Sequence, residues 1–389
     1  MHRLRLSIDY IEYVILALLA VGFGNIGNNL LLFLFIIIFL FEKEKKIIFS
    51  GDLILLFSCF FSFYYLYTQY YELRVELYTL IMFLVGPTVG FLIGQILVKK
   101  DERKLSVLII IVNLCLLIHG VMNLLSAPEA EIWYAQNIPD IWTGNKVSAT
   151  LNGAYFTGAI VLFCYLIDKK RLFYKLLSTV LLCLMIWSSV KTAERTLMIN
   201  LVISVLAFVY GKIYFEKKDV VFKQVFKYTL ALFIFACVII LAYSIDLLGI
   251  QTAFLNTSLG SRLTMLDSVI QDNRLDALLT VLAALWEQPM GNLKNMFYAH
   301  NLFVDMGRMC GIVPMILLIF YIIKIMVEVF SICKNDKLSI ENRMLFYIFH
   351  ISFLINFMVE PVLEGMPMVF TLFCIVNGGI SALRYRLNK

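Results

Sequence analysis

The chain has 389 residues, 61% of them hydrophobic and only 15% charged, with a mean hydropathy of +0.87 and a formal net charge of +6. Soluble domains run nearer to half apolar and a quarter charged, so this composition excludes a water-soluble globular enzyme, a disordered chain and a nucleic-acid-binding module. A membrane span needs about 20 apolar residues, and the length accommodates roughly a dozen.

Twelve apolar segments follow in order: 9–25, 28–41, 51–70, 77–98, 105–125, 152–168, 172–190, 195–212, 226–246, 300–328, 343–361 and 366–384. The first two are short and joined by Gly24-Asn25-Ile26-Gly27-Asn28-Asn29, which suits either two tilted spans or a re-entrant pair. No fixed-period repeat is visible. The first apolar run continues into further spans without a small-residue cleavage site, so a removable leader is not expected. Seven of the eight cysteines fall in apolar runs and Cys333 falls in a Lys-rich loop, so disulfides are not expected either.

Lysine and arginine set the orientation. With twelve spans, 25 of the 33 basic residues fall on the termini and alternate connections that this topology assigns to the cytoplasm. The other eight are Arg74, Lys146, Lys191, Arg195, Arg262, Arg274, Lys294 and Arg308. Both termini are thus expected inside the cell. Arginine makes up five of the outer eight but only seven of the inner 25. Its planar fork of donors suits phosphate and carboxylate, which points to an anionic ligand on the outer side.

The whole chain reads as one transmembrane domain with two long outer connections. The smaller covers 126–151 and holds Trp133 and Trp142. The larger covers 247–299. Within the larger, Asp272-Asn273 precede an apolar-periodic run of Leu275, Leu278, Leu279, Leu282, Leu285 and Trp286, ended by Pro289 and Gly291. A shorter helix is expected from Ser261 to Ile270. The loop reads as a helical cap at the membrane surface.

Several residues carry candidate chemistry. His300 stands where the large loop re-enters the membrane, and an imidazole exchanges protons near neutrality. The alternative is a helix-end histidine bonded to a carbonyl. His119 and His350 have no charged cluster near them in sequence and read as structural. Arg195, in Lys191-Thr192-Ala193-Glu194-Arg195-Thr196, is on the wrong side for topology; it either snorkels, with Glu194 as a partner, or binds an anion. Arg262 follows Gly260-Ser261 at the start of a loop helix and faces the same choice. Arg308 is eight residues past His300, about 12 Å deeper if one helix carries both, with Asp305 as a plain ion-pair partner. Glu360 and Glu364 flank an outer turn at Pro361. Lys146 joins Thr143, Asn145 and Thr150 donors near two tryptophans, which suit sugar stacking or an interface belt. No GxxxxGK[ST], HExxH or CxxC is present, and no tight outer carboxylate cluster suggests a divalent metal, so no metal or cofactor is expected.

The second half of the chain resembles the O-antigen ligase and O-antigen or capsule polymerase (Wzy-type) superfamily. The resemblance rests on Arg262, Trp286-Glu287-Gln288-Pro289-Met290-Gly291, Ala299-His300-Asn301-Leu302-Phe303 and Gly311 in that order. Ala193-Glu194-Arg195-Thr196 is similar to the family's Ser-Arg turn, with Glu194 in place of a small residue, and the 146–150 segment is similar to its basic-plus-Thr segment. The resemblance implies an all-α, GT-C-like membrane glycosyltransferase of about twelve spans. Its implied partners are an undecaprenyl-diphosphate-linked glycan donor and acceptor and membrane lipid, with a chain-length regulator protein as a further candidate; nucleic acid is not among them. It also implies Arg195 and Arg262 on the diphosphate and His300 as base for the acceptor hydroxyl. Lys146, Thr150, Asn301, Arg308 and Glu360 would assist binding. A repeat-unit polymerase is the first expectation and an O-antigen ligase the second. A lipid-linked glycan flippase is the alternative of another class, and a structural membrane protein the last.

Overall fold

The computed structural model describes residues 2–41, 47–70, 80–98, 101–127, 138–192, 194–216, 252, 255, 274–293, 296 and 298–388. Over these residues the chain is an all-α polytopic membrane protein. Its helices are α1 (His2–Ala20), α2 (Gly27–Phe41), α3 (Gly51–Tyr70), α4 (Ile81–Val98, opening with a π-helical turn over Ile81–Val85), α5 (Glu102–Ser126), α6 (Ala149–Ile167), α7 (Leu172–Thr192) and α8 (Arg195–Glu216). They continue with α9 (Arg274–Glu287), α10 (Leu302–Cys310), α11 (Ile312–Cys333), α12 (Ile340–Val359), the single turn α13 (Val362–Gly365) and α14 (Pro367–Leu387). The described sheet is one small antiparallel hairpin, pairing Ile138 with Val147 and Pro139 with Lys146.

Eight helices among the described residues are long and apolar enough to cross a membrane: α3, α4, α5, α7, α8, α11, α12 and α14. Three shorter apolar stretches, Ile11–Ala20, Asn29–Phe41 and Leu151–Ile167, accompany them. The expected segment 226–246, the expected helix Ser261–Ile270 and Arg262 lie outside the described residues. One expectation fails outright. The 300–328 segment is not one helix, because Gly311 (φ 91°) breaks it into α10 and α11. Cys333 also departs from its expected loop: it is the last residue of α11, buried, and its Sγ lies 3.2 Å from the Arg343 carbonyl.

The tightest packing joins α4 to α14, and it requires glycine. Gly86, Gly90 and Gly94 recur every four residues along one face of α4. A β-carbon on Gly94 would stand 1.7 Å from the Ile375 carbonyl oxygen, and one on Gly378 would stand 1.8 Å from that of Phe91. Lipid tails are as apolar as leucine, so helices in a membrane gain by close backbone approach rather than by leaving water. α14 is the most enclosed span, 83% buried. Hydrogen bonds then link it outward: Asn377 Nδ2 donates to Tyr321 OH of α11 at 2.8 Å, and His350 Nε2 of α12 lies 3.0 Å from Asn377 Oδ1. His350 is therefore structural, as its sequence surroundings imply.

The connections gather at two ends. At one end polar groups tie the helix starts and stops together. Lys324 reaches Asp52 at 2.6 Å, Arg384 reaches Glu328 at 2.6 Å, and Lys169–Glu341 and Lys212–Asp168 form ion pairs. At the other end Lys191 Nζ donates to the Leu124 carbonyl at 2.8 Å and Trp142 Nε1 to that of Val21 at 2.8 Å. The candidate residues belong to this second end.

Placing valine at Gly94 should abolish folded protein, because neither helix backbone gives way. Gly51→Ala, where only the flexible Lys324 side chain comes close, should retain it. Size-exclusion profiles of the two variants in detergent check this; a monodisperse Gly94→Val protein would refute the packing.

Candidate active site

The segment from Pro289 to Gly311 is built around two glycines with left-handed backbones, Gly291 (φ 81°) and Gly311 (φ 91°). They lie face to face: a β-carbon on Gly291 would meet the Gly311 nitrogen at 2.3 Å. The Pro289 carbonyl accepts from Ile312 N at 2.8 Å, which caps the start of α11, and Leu293 N donates to the Arg308 carbonyl at 3.0 Å. The Pro-x-Gly step and the distant Gly311 thus form one backbone clip. It fastens the end of α9 to the α10–α11 junction. Leu285 of α9 completes the contact, its Cδ1 only 2.8 Å from where a Gly307 β-carbon would be.

His300 is displayed by this clip. It is half-buried and adopts φ 51°, a left-handed conformation that is uncommon outside glycine and costs roughly 1–2 kcal/mol. A clamp on both sides holds it there. Asp305 Oδ1 accepts from Ala299 N at 2.8 Å and Asp305 Oδ2 from Asn301 N at 3.0 Å. Asn301 then caps α10, its Oδ1 accepting from Phe303 N and Val304 N, while its Nδ2 donates to the Met358 carbonyl at 3.2 Å. That bond brings the His300 loop beside the end of α12 and the buried Glu360.

Arg308 is buried and held inside the protein. Its Nε lies 3.3 Å from Asp305 Oδ1, its Nη1 is 3.4 Å from the Met296 carbonyl, and its guanidinium sits 5.0 Å from the centre of the Tyr298 ring. Tyr298 in turn lies 6.5 Å from the His300 ring. The expectation of His300 and Arg308 on one helix, two turns apart, is therefore corrected: the helix begins at Leu302, and His300 precedes it. Arg308 supports Asp305 and Tyr298 from behind.

Arg195 is the first residue of α8 and half-buried. The turn before it is shaped by Ser189, whose Oγ donates to the Glu194 carbonyl at 2.5 Å. Glu194 is buried, accepts from Thr196 Oγ1 at 3.1 Å, and fills the space that a side chain on Gly153 of α6 would need. Thr150 is the second residue of α6, and its side chain lies outside the described residues. Lys146 is exposed on the hairpin and lines a cavity of about 320 Å³ whose lining includes neither His300 nor Arg195. The structure thus brings Lys146, Arg195, His300, Asn301 and Glu360 to one end of the bundle. It joins His300, Asn301 and Arg308 through Asp305, and gives Lys146 a separate cavity.

That cavity holds a pair the sequence does not reveal. His119 Nε2 is 2.7 Å from Asp140 Oδ2, with both residues buried and the imidazole stacked on Tyr155 at 4.2 Å. The partners are 21 residues apart, across a connection that gives no sign of folding back. Burial of Asp140 favours its neutral form, but hydrogen bonds from His119, Thr143 N and Trp142 N outweigh this and lower its pKa from 3.8 to about 2. Among the described residues no group of three or more His, Cys, Asp or Glu could hold a metal. No family model matches this sequence, and no curated protein sequence matches it.

The Asp140 shift has a definite sign. A folded-state pKa below the unfolded one stabilises the fold above the unfolded value, and that contribution disappears as pH falls toward the folded value. The thermal unfolding midpoint in detergent should therefore drop between pH about 4 and about 2, and Asp140→Asn should flatten this part of the profile. Parallel profiles for the two proteins would contradict the assignment.

Proposed function

We propose that the protein is a membrane glycosyltransferase that joins undecaprenyl-diphosphate-linked repeat units into O-antigen or capsular polysaccharide on the outer face of the cytoplasmic membrane. The observation that carries this reading is the clamped display of His300, at the same end of the bundle as Arg195, Lys146 and Glu360. His300 takes the proton from the acceptor hydroxyl. The oxygen attacks the anomeric carbon opposite the diphosphate, the bond to the diphosphate breaks, and the configuration inverts. Arg195 and Arg262 meet the charge that develops on the leaving diphosphate, as preorganised cations do for growing anions. Asn301 fixes the start of α10 beneath the base, and Arg308 acts through Asp305 and Tyr298.

The topology supporting this reading has twelve spans. The eight long helices, the three shorter apolar ones and the 226–246 segment make up that number. Both termini and the ion-paired end then face the cytoplasm, where most lysines and arginines are.

A flippase reading has one observation in its favour: the buried carboxylates of Asp52 and Glu328, paired with the half-buried Lys324 and Arg384 between α3, α11 and α14. These charges are paired, and Asp52 and Arg384 sit in the terminal turns of their helices, which suits an anchored end better than a pathway.

His300→Ala should reduce polymer by about 100-fold or more, with single lipid-linked repeats accumulating on the outer face. Normal polymer ladders would remove His300 from the mechanism, and repeats accumulating on the inner face would favour the flippase. Arg195→Lys keeps the charge but loses the fork. It should lower turnover by about tenfold, read in membranes supplied with lipid-linked repeats; unchanged turnover would mean that charge alone matters there.

A further inference from the structure

The cavity beside Lys146 is not used by the chemistry above. It lies among α1, α5, α6, the hairpin and the α13–α14 turn, and its volume of about 320 Å³ falls within the range of small-molecule sites. His119 and Asp140 form its inner wall. Asp140 is fixed: Oδ1 accepts from Trp142 N at 3.0 Å, Thr143 N at 2.9 Å and Thr143 Oγ1 at 3.1 Å, leaving Oδ2 for His119. The imidazole is fixed as well, between this carboxylate and the Tyr155 ring.

An imidazole that donates Nε2–H to a carboxylate and is otherwise neutral carries a lone pair on Nδ1. No hydrogen bond among the described residues reaches that atom. The ring edge that bears it lies against Gly22, where a β-carbon would come within 3.0 Å of Cε1 and 3.1 Å of Nδ1. Glycine at this position, with φ 69°, places no side chain over that edge. The rim is polar and exposed, with Asn145 and Lys146 as donors, and the indole of Trp142 stands beside it. Leu116, Val369 and Leu372 supply an apolar wall.

This set of groups discriminates among ligands. A cation would find one carboxylate, already satisfied by three donors and a histidine. An acyl chain would leave Nδ1 and Lys146 without partners, at a desolvation cost. A sugar ring has an apolar face for the indole and aliphatic wall, and an edge of hydroxyls that both donate and accept.

We propose that this cavity is a saccharide-binding subsite, in which His119 Nδ1, aimed by Asp140, accepts a hydrogen bond from a sugar hydroxyl while Lys146 and Asn145 donate at the rim. Its physiological ligand, a sugar of the lipid-linked glycan away from the reacting bond, rests on the glycosyltransferase reading; the binding itself does not. Held there, one end of the repeat unit leaves the hydroxyl at the other end for His300.

The test uses the full chain in lipid nanodiscs and saturation-transfer NMR with glucose, N-acetylglucosamine and glucuronate at millimolar concentration. At least one of the three should receive saturation from the wild-type protein. His119→Ala and Lys146→Ala should each weaken that binding by about fivefold, the worth of one hydrogen bond. Lys146→Ala is a change at an exposed rim, so its thermal midpoint should match wild type even if His119→Ala unfolds. Absence of transfer to all three sugars, or equal transfer in wild type and Lys146→Ala, overturns the subsite. Sugar binding that depends on Lys146, in a protein whose complete deletion leaves polymer ladders unchanged, would sink the glycosyltransferase reading and leave the subsite standing. Loss of polymer in His300→Ala with sugar binding insensitive to both cavity variants would do the reverse.

Discussion

The approach of α4 to α14 is the constraint on which the rest of the bundle depends. In a bilayer, two helices gain little by hiding leucines from lipid, so association comes from close packing and from polar groups bonded across the interface. The glycine face of α4 meets Gly378 with no room for a β-carbon at either surface. That contact places α14 at the centre, where it has α11 and α12 within hydrogen-bonding reach through Asn377. A second buried polar contact, Asn200 Nδ2 to the Ser352 carbonyl at 3.1 Å, carries the order on from α12 to α8. Helices with little burial, such as α3 and α7, present their apolar side chains outward.

The candidate site inherits its geometry from this framework by way of backbone contacts. Gly291 against Gly311, and the Pro289 carbonyl on Ile312 N, lock a loop to the start of a long helix without any side chain in between. Asp305 then fixes the two amides on either side of His300. A buried carboxylate is costly unless its oxygens are bonded, and here both are, with Arg308 alongside. The same carboxylate thus satisfies the chain and orients the residue it flanks.

Much of the bundle was legible in the sequence because apolar length and lysine placement are one-dimensional signals. The stretch 51–70 coincides with α3 residue for residue, and the periodic run from Leu275 to Trp286 lies within α9. What composition could not convey was interruption. Gly311 sits within Met309-Cys310-Gly311-Ile312-Val313, where hydropathy registers a glycine as one more tolerated residue, although its left-handed backbone ends one helix and starts another. The Gly86-Gly90-Gly94 spacing is itself a one-dimensional sign of a close-packing face. His119 and Asp140 were beyond reach for a different reason. Their pairing depends on the hairpin that begins at Ile138 lying against the end of α5, where Ile141 N donates to Asn123 Oδ1 at 2.9 Å, and no local pattern specifies that. Eight-residue spacing would set Arg308 and His300 on one face of a shared helix, and the helix start at Leu302 undoes that geometry.

The backbone at position 300 restricts which replacements the protein accepts. Left-handed conformations are tolerated by glycine, asparagine and aspartate far better than by branched or bulky side chains. Histidine shares with asparagine and aspartate an enrichment in this conformation, and it is the one of them that exchanges protons near neutrality when unperturbed. The backbone at position 300 therefore admits histidine while excluding most side chains that could replace it.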